Sequence, residues 1–118
     1  MRLRAGQRLR RNNDFRAVRE QGRRLDGGAF LLTWRVRPEA TAFARVGVVA
    51  SRAAVGGAVE RNRAKRRLRA LYRKHQPLVP AGHDLVLTAR GSILRLEFPV
   101  LEQRFQHACR QLTAKPTA

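Results

Sequence analysis

The chain has 118 residues, 43% of them hydrophobic, with 26 Lys and Arg against 8 Asp and Glu, a formal net charge of +18 and a sequence pI near 12.0. That length suits one compact domain with a single core and needs neither disulfides nor a structural metal, and the apolar content excludes a wholly disordered basic tail. One cysteine, Cys109, excludes an internal disulfide and fits a reducing interior, and no stretch approaches the ~20 apolar residues of a membrane span, so a cytoplasmic protein without a membrane partner is expected.

The opening MRLRAGQRLRR is cationic with no apolar run behind it, which reads as a flexible basic arm over residues 1–11 rather than a secretory signal. Asn12-Asn13-Asp14 before Phe15 and Val18, with Gly22 following, predicts a short capped helix over 13–21. AFLLTWRV, residues 29–36, alternates as a strand with Phe30, Leu32 and Trp34 toward the core and Leu31, Thr33 and Arg35 on a partly open second face. A loop with Pro38 leads to a second strand, ARVGVVA (44–50), and Gly56-Gly57 turns the chain into a helix over 58–75 that Pro77 and Pro80 end. DLVLTAR (84–90) predicts a third strand; Pro99 opens a last helix bearing Leu101, Phe105, Ala108 and Leu112 at helical spacing, with a flexible tail over 113–118. The two later strands flank the middle helix as a β-α-β crossover, right-handed by default. The expected fold is α+β, a single-domain two-layer sandwich spanning residues 1–118, with a small mixed sheet of three to four strands and about three helices.

RNRAKRRLRALYRK, residues 61–74, holds eight basic side chains in fourteen residues and no acid. At 3.6 residues per turn Ala64, Leu68, Leu71, Tyr72 and His75 share an arc of about 100°, so the segment has a core-facing side. Arg61, Asn62, Lys65, Arg66, Arg69 and Arg73 fill the adjoining sector, and Arg63, Arg67 and Lys74 the far side. Solvated charged faces ordinarily mix signs; a surface this one-sided repels itself unless a polyanion neutralises it. Of the 26 cations 23 are Arg, whose planar fork pairs bidentately with phosphate and stacks on bases, which favours nucleic acid. Engaging ~6 phosphates would make binding fall as roughly the fourth to fifth power of salt. Asn62 admits a base-edge contact, a brace for a neighbouring Arg, or an ordinary place in the first helical turn.

Protein-based catalysis has little support. Asp14, Glu20, Asp26, Glu39, Glu60, Asp84, Glu97 and Glu102 form no close pair or carboxylate-rich motif for two-metal nuclease chemistry. His75, His83 and His107 lack metal-ligand spacing, one cysteine cannot build a zinc site, and the sequence contains neither a Walker loop nor a dinucleotide fingerprint. No protein metal site or catalytic residue is therefore assigned; His75, His83 and Cys109 read as structural.

GGAVERNRAKRRLR, residues 56–69, resembles the signature of the bacterial ribonuclease P protein component, an Arg-Asn-Arg triplet followed at fixed spacing by Lys-Arg and another Arg. Arg61, Asn62, Arg63, Lys65, Arg66 and Arg69 match it, and the similarity extends to RLRRNNDFRAV (8–18), RVGVVAS (45–51) and DLVLTAR (84–90) in the expected order. The resemblance implies a subunit of a ribonucleoprotein endonuclease that removes the 5′ leader of precursor tRNA. In that family the RNA subunit carries out the Mg²⁺-dependent hydrolysis. The protein binds ribonuclease P RNA through the signature helix, one protein per RNA and without a DNA partner, and holds the single-stranded leader in a cleft. It also implies a left-handed crossover in place of the default.

By position the resemblance makes Phe15 a stacking surface for a leader base, with a core role as the alternative, and places Arg19, Leu31, Thr33, Ser51 and Arg52 in the cleft. Thr33 stands where a tyrosine is common, Arg19 where a second aromatic often sits, and Gly57 where Asn is usual; there is one extra residue between Ser51 and Gly56. A ribosomal or general RNA-binding protein with no part in cleavage shares the size and charge, but does not require the Arg-Asn-Arg spacing at the start of a helix between two strands.

Overall fold

The alternating run that begins at Phe30 forms one of two central strands of a four-stranded mixed sheet. The computed structural model describes residues 8–9, 12–37 and 43–113. Its elements are α1 (Asn12–Gln21), β1 (Arg23–Asp26), β2 (Phe30–Val36), β3 (Arg45–Val49), α2 (Arg52–Val55), α3 (Ala58–Lys74), β4 (His83–Ala89) and α4 (Phe98–Thr113), with 3-10 turns at Gln76–Leu78 and Gly91–Leu94. The strand order is β1-β2-β4-β3; β2 is antiparallel to both neighbours, and β3 is parallel to β4. Parallel neighbours cannot be joined by a hairpin, and α2 and α3 supply the crossover.

β1 is an addition to the expected strands. Its sequence, RRLD, has three charges in four residues and no apolar alternation, so its pairing with β2 comes from the turn that follows. Gly28 adopts φ +81°, Asp26 Oδ1 accepts the Gly28 N–H at 2.8 Å, and the chain reverses through Gly27-Gly28.

Register sorts the side chains onto two faces. Phe30 and Leu32, with Leu85, Leu87 and Val46, turn toward α3 and α4 and meet Leu68, Leu71, Tyr72, Leu101 and Phe105 in the main core. The Phe30 and Phe105 rings lie 6.2 Å apart at 55°, a tilted contact worth ~0.5–1.5 kcal/mol beyond burial. The arc expected on α3 is the arc buried, from Ala64 through Tyr72 to His75. Burial pushes the Tyr72 hydroxyl and the Cys109 thiol each up to about 12, so both stay neutral at physiological pH.

On the other face α1 lies across the sheet, with Val18 against Val86 and with Leu9, Phe15 and Val49 beside them. Its close approach depends on Gly47, where a Cβ would come within 2.5 Å of the Phe15 ring. The basic arm expected over residues 1–11 is docked at Arg8 and Leu9: Leu9 is buried, and its N–H donates to the Val46 carbonyl at 2.9 Å along the outer edge of β3. Residues 1–7, 10–11 and 114–118, the rest of the expected arm and tail, lie outside the described residues, while α4 runs to Thr113.

Candidate nucleic-acid interface

The roll of α3 is set by its buried arc, and that fixes where its cations point. Gly56, at φ +113°, lets the chain leave α2 and start α3 at Ala58 after a single further residue. Asn62, Arg63 and Arg66 are exposed; Arg61, Lys65 and Arg69 are half-buried along the rim of the core stripe. Among the described residues no ion pair involves any of these five cations. Burial first, and then the neighbouring Arg8 and Arg73 charges, lower the pKa of Arg69. Arg69 also shares a small cavity with Arg8, Phe15 and Gly47, so the docked arm and α1 adjoin the signature helix.

Two cations of the helix serve the fold instead. Arg67, expected on the solvent side, is half-buried and donates from Nη2 to the Leu96 carbonyl, tying α3 to the segment before α4. Lys74 Nζ lies 2.9 Å from Glu102 Oε2 and 5.8 Å from the centre of the Phe98 ring. His75 Nε2 reaches the same Glu102 oxygen at 2.8 Å, so the end of α3 is clamped to α4.

The second candidate region follows α1. Phe15, Arg16 and Arg19 line a groove along that helix. Leu31, Thr88 and Val49, in register on three adjoining strands, form a half-buried row on the same face of the sheet. Ser51 and Arg52 follow β3 at that end and are exposed. Ser51 Oγ accepts the Ala54 N–H at 3.1 Å and so caps α2. Thr33 differs from the expectation of a partly open face: it belongs to the next row, with Val86 and Gly47, which α1 covers, and is 4% exposed. Arg35 on the same face is likewise drawn into an ion cluster.

At the centre of that cluster is Asp84, fully buried. Arg45 Nε and Nη2 donate to its two carboxylate oxygens at 2.9 and 2.8 Å, Arg37 Nη1 donates at 3.2 Å, and Arg35 Nε lies 3.8 Å away. Two of these arginines reach α1 as well: Arg45 Nη1 is 3.7 Å from Asp14 Oδ2, and Arg35 Nη1 donates to Gln21 Oε1 at 3.1 Å. Arg37 donates further to the Phe43 carbonyl. Asp84 thus organises the end of the sheet on which α1 rests. Its partners are 39 to 49 residues away in sequence, too far for any local pattern to announce them.

The remaining acids near cations are also engaged, Asp26 with Arg90 at 2.9 Å and Glu102 as above. Backbone donation from Gly28, and then Arg90, holds the Asp26 carboxyl below its usual range. Among the described residues no three His, Cys, Asp or Glu side chains form a metal-sized cluster, and no helix is long and apolar enough to cross a membrane.

The family model for Ribonuclease P matches residues 3–113. The ribonuclease P protein component of Chloroflexus aurantiacus is 39% identical over 115 residues, covering 97% of this chain and 83% of the relative. That of Syntrophomonas wolfei is 39% identical over 98 residues, covering 83% and 80%. The RNase P protein from Thermotoga maritima superposes with a TM-score of 0.78 at 25% identity, over 91% of this chain and 98% of that one. The Staphylococcus aureus RNase P protein shares the fold, with a TM-score of 0.76 at 20% identity over 91% and 95%.

Proposed function

The chain belongs to the bacterial ribonuclease P protein component family, and we propose that it binds ribonuclease P RNA through α3 and the 5′ leader of precursor tRNA along α1, assisting removal of the leader in the cytoplasm. The observation that carries this reading is the surface of α3, where Arg61, Arg63, Lys65, Arg66 and Arg69 stand without an acidic partner among the described residues, beside exposed Asn62. Burying a helix on one side while leaving its cations unpaired on the other is self-repulsive in the free protein, and phosphate relieves that repulsion.

Phe15 supports the leader part of the proposal because it does two things at once. The edge of its ring packs against Gly47, and Phe15 also lines the groove with Arg16 and Arg19. A base stacked there would gain ~1–3 kcal/mol, with Arg19 supplying a phosphate or guanidinium contact where the family often has an aromatic. Leu31 offers an apolar floor, and Ser51 and Arg52 a polar end wall. Thr33, beneath α1, acts as support for that helix rather than as a surface for RNA.

Hydrolysis is assigned to the RNA subunit, which uses Mg²⁺, with one protein serving one RNA. Asp84, Asp26 and Glu102, the acids with the nearest cationic neighbours, are tied to arginine, lysine or histidine, so these carboxylates are not disposed as a two-metal pair. The test is 5′ cleavage of a precursor tRNA at low Mg²⁺ by a bacterial ribonuclease P RNA, with and without the protein. Cleavage at the mature 5′ end should rise sharply with the wild type, weaken with Arg61→Ala/Arg66→Ala, and vanish without the RNA. Absence of stimulation by the wild type would leave a general RNA-binding protein, and cutting by the protein alone would place an active site in this chain.

A further inference from the structure

Beyond Trp34 the outer edge of β2 has no strand beside it among the described residues, because β1 begins at Arg23, the partner of Trp34. The end of α4 reaches this corner, and Gln21, Arg23, Trp34, Arg35, His83 and Gln111 help line a pocket there. It sits at the end of β2 opposite Leu31, beside the Asp84 row and with the Thr33 row between, and is therefore separate from the leader groove. No acid lines it.

Trp34 is the only tryptophan of the chain. It packs against the main core yet stays partly exposed, and among the described residues nothing accepts a hydrogen bond from its indole N–H. A half-covered aromatic at a core edge is ordinary by itself. Its surroundings are not: Arg23, Arg35, Gln21, Gln111 and His83 line the same pocket, with Val36 and Leu112 as its other apolar surface. The cations select an anion, the indole selects a planar ring, and the amides can pair with a base edge. One ligand that unites an anion with a planar, edge-polar ring is a nucleotide.

We infer that this corner is a second RNA contact that holds one unpaired nucleotide, its base on Trp34 and its phosphate on Arg23. Arg35 is already held by Asp84 and Gln21, whereas Arg23 is exposed and has no ion pair among the described residues. The inference rests on the proposed function only in taking RNA as the partner, and either ribonuclease P RNA or precursor tRNA could supply the nucleotide.

Trp34 is its own reporter. Its emission is followed as the full chain is titrated with ribonuclease P RNA and, separately, with precursor tRNA, while anisotropy of the labelled RNA records binding independently. Stacking predicts saturable quenching in at least one arm, and the arm identifies the RNA. In that arm Arg23→Ala should weaken binding several-fold and lower the salt exponent by about 0.7–0.9, with thermal unfolding unchanged. Trp34→Leu, which keeps an apolar group against the core, should cost about fivefold or more in Kd. Binding by anisotropy with unchanged Trp34 emission in both arms overturns the site and spares the RNA-binding reading, as does an Arg23→Ala affinity within twofold of the wild type. Absence of binding in both arms overturns the RNA-binding reading and the site together.

Discussion

Arg35, Arg37 and Arg45 at one end of the sheet and Arg61, Arg63 and Arg66 on α3 put the same side chain under opposite conditions. The first three converge on one buried carboxylate and, through Asp14 and Gln21, hold α1 to the sheet. The second three have no acidic partner among the described residues, and two of them are exposed. In a chain of net charge +18, the few acids therefore decide which arginines belong to the fold and which remain available to a polyanion. Arg67 and Lys74 show the same division inside a single helix, since a carbonyl and Glu102 bring them into the fold.

Removing the acid from the sheet cluster should have the largest effect. Asp84→Ala leaves three guanidiniums facing one another and should cost about 3–5 kcal/mol, read as a lower midpoint in urea denaturation. Asp84→Asn, which retains an acceptor, should cost less. Phe15→Ala comes next, weakening precursor tRNA binding by ~1–3 kcal/mol in the assembled complex while leaving leaderless tRNA unaffected; equal weakening of both would assign Phe15 to packing alone. The smallest effect belongs to the α3–α4 clamp. Lys74 first and then His75 hold the Glu102 carboxyl below its usual range, so its stabilisation is present above that range and disappears as pH falls through the lowered pKa. Glu102→Gln should lower Tm near neutral pH, and the two Tm curves should converge well below the ordinary Glu pKa of about 4.3.

How much of this could be read from the sequence depends on the range of the interaction. α3 was legible to within a residue because its core contacts repeat at helical spacing, and β2, β3 and β4 because their apolar runs are continuous or alternating. β1 was not, since Arg23 and Arg24 become strand only by pairing with β2; the Asp26-Gly27 step was the one local signal of that hairpin. Thr33 was read by alternation and by family position, which find its face but not the helix that covers that face. Asp84 was read merely as one acid among eight. Its importance arises from three strand-end arginines that only the tertiary fold assembles.

The most direct test of the contrast is the salt dependence of ribonuclease P RNA binding by the wild type and by Arg63→Ala/Arg66→Ala, with urea denaturation of both proteins alongside. Unfolding free energies should agree within about 0.5 kcal/mol, while the salt exponent falls by about 1.4–1.8 as two phosphate contacts are lost. An unchanged exponent together with a destabilised fold would contradict the account, because these arginines would then belong to the structure and not to RNA.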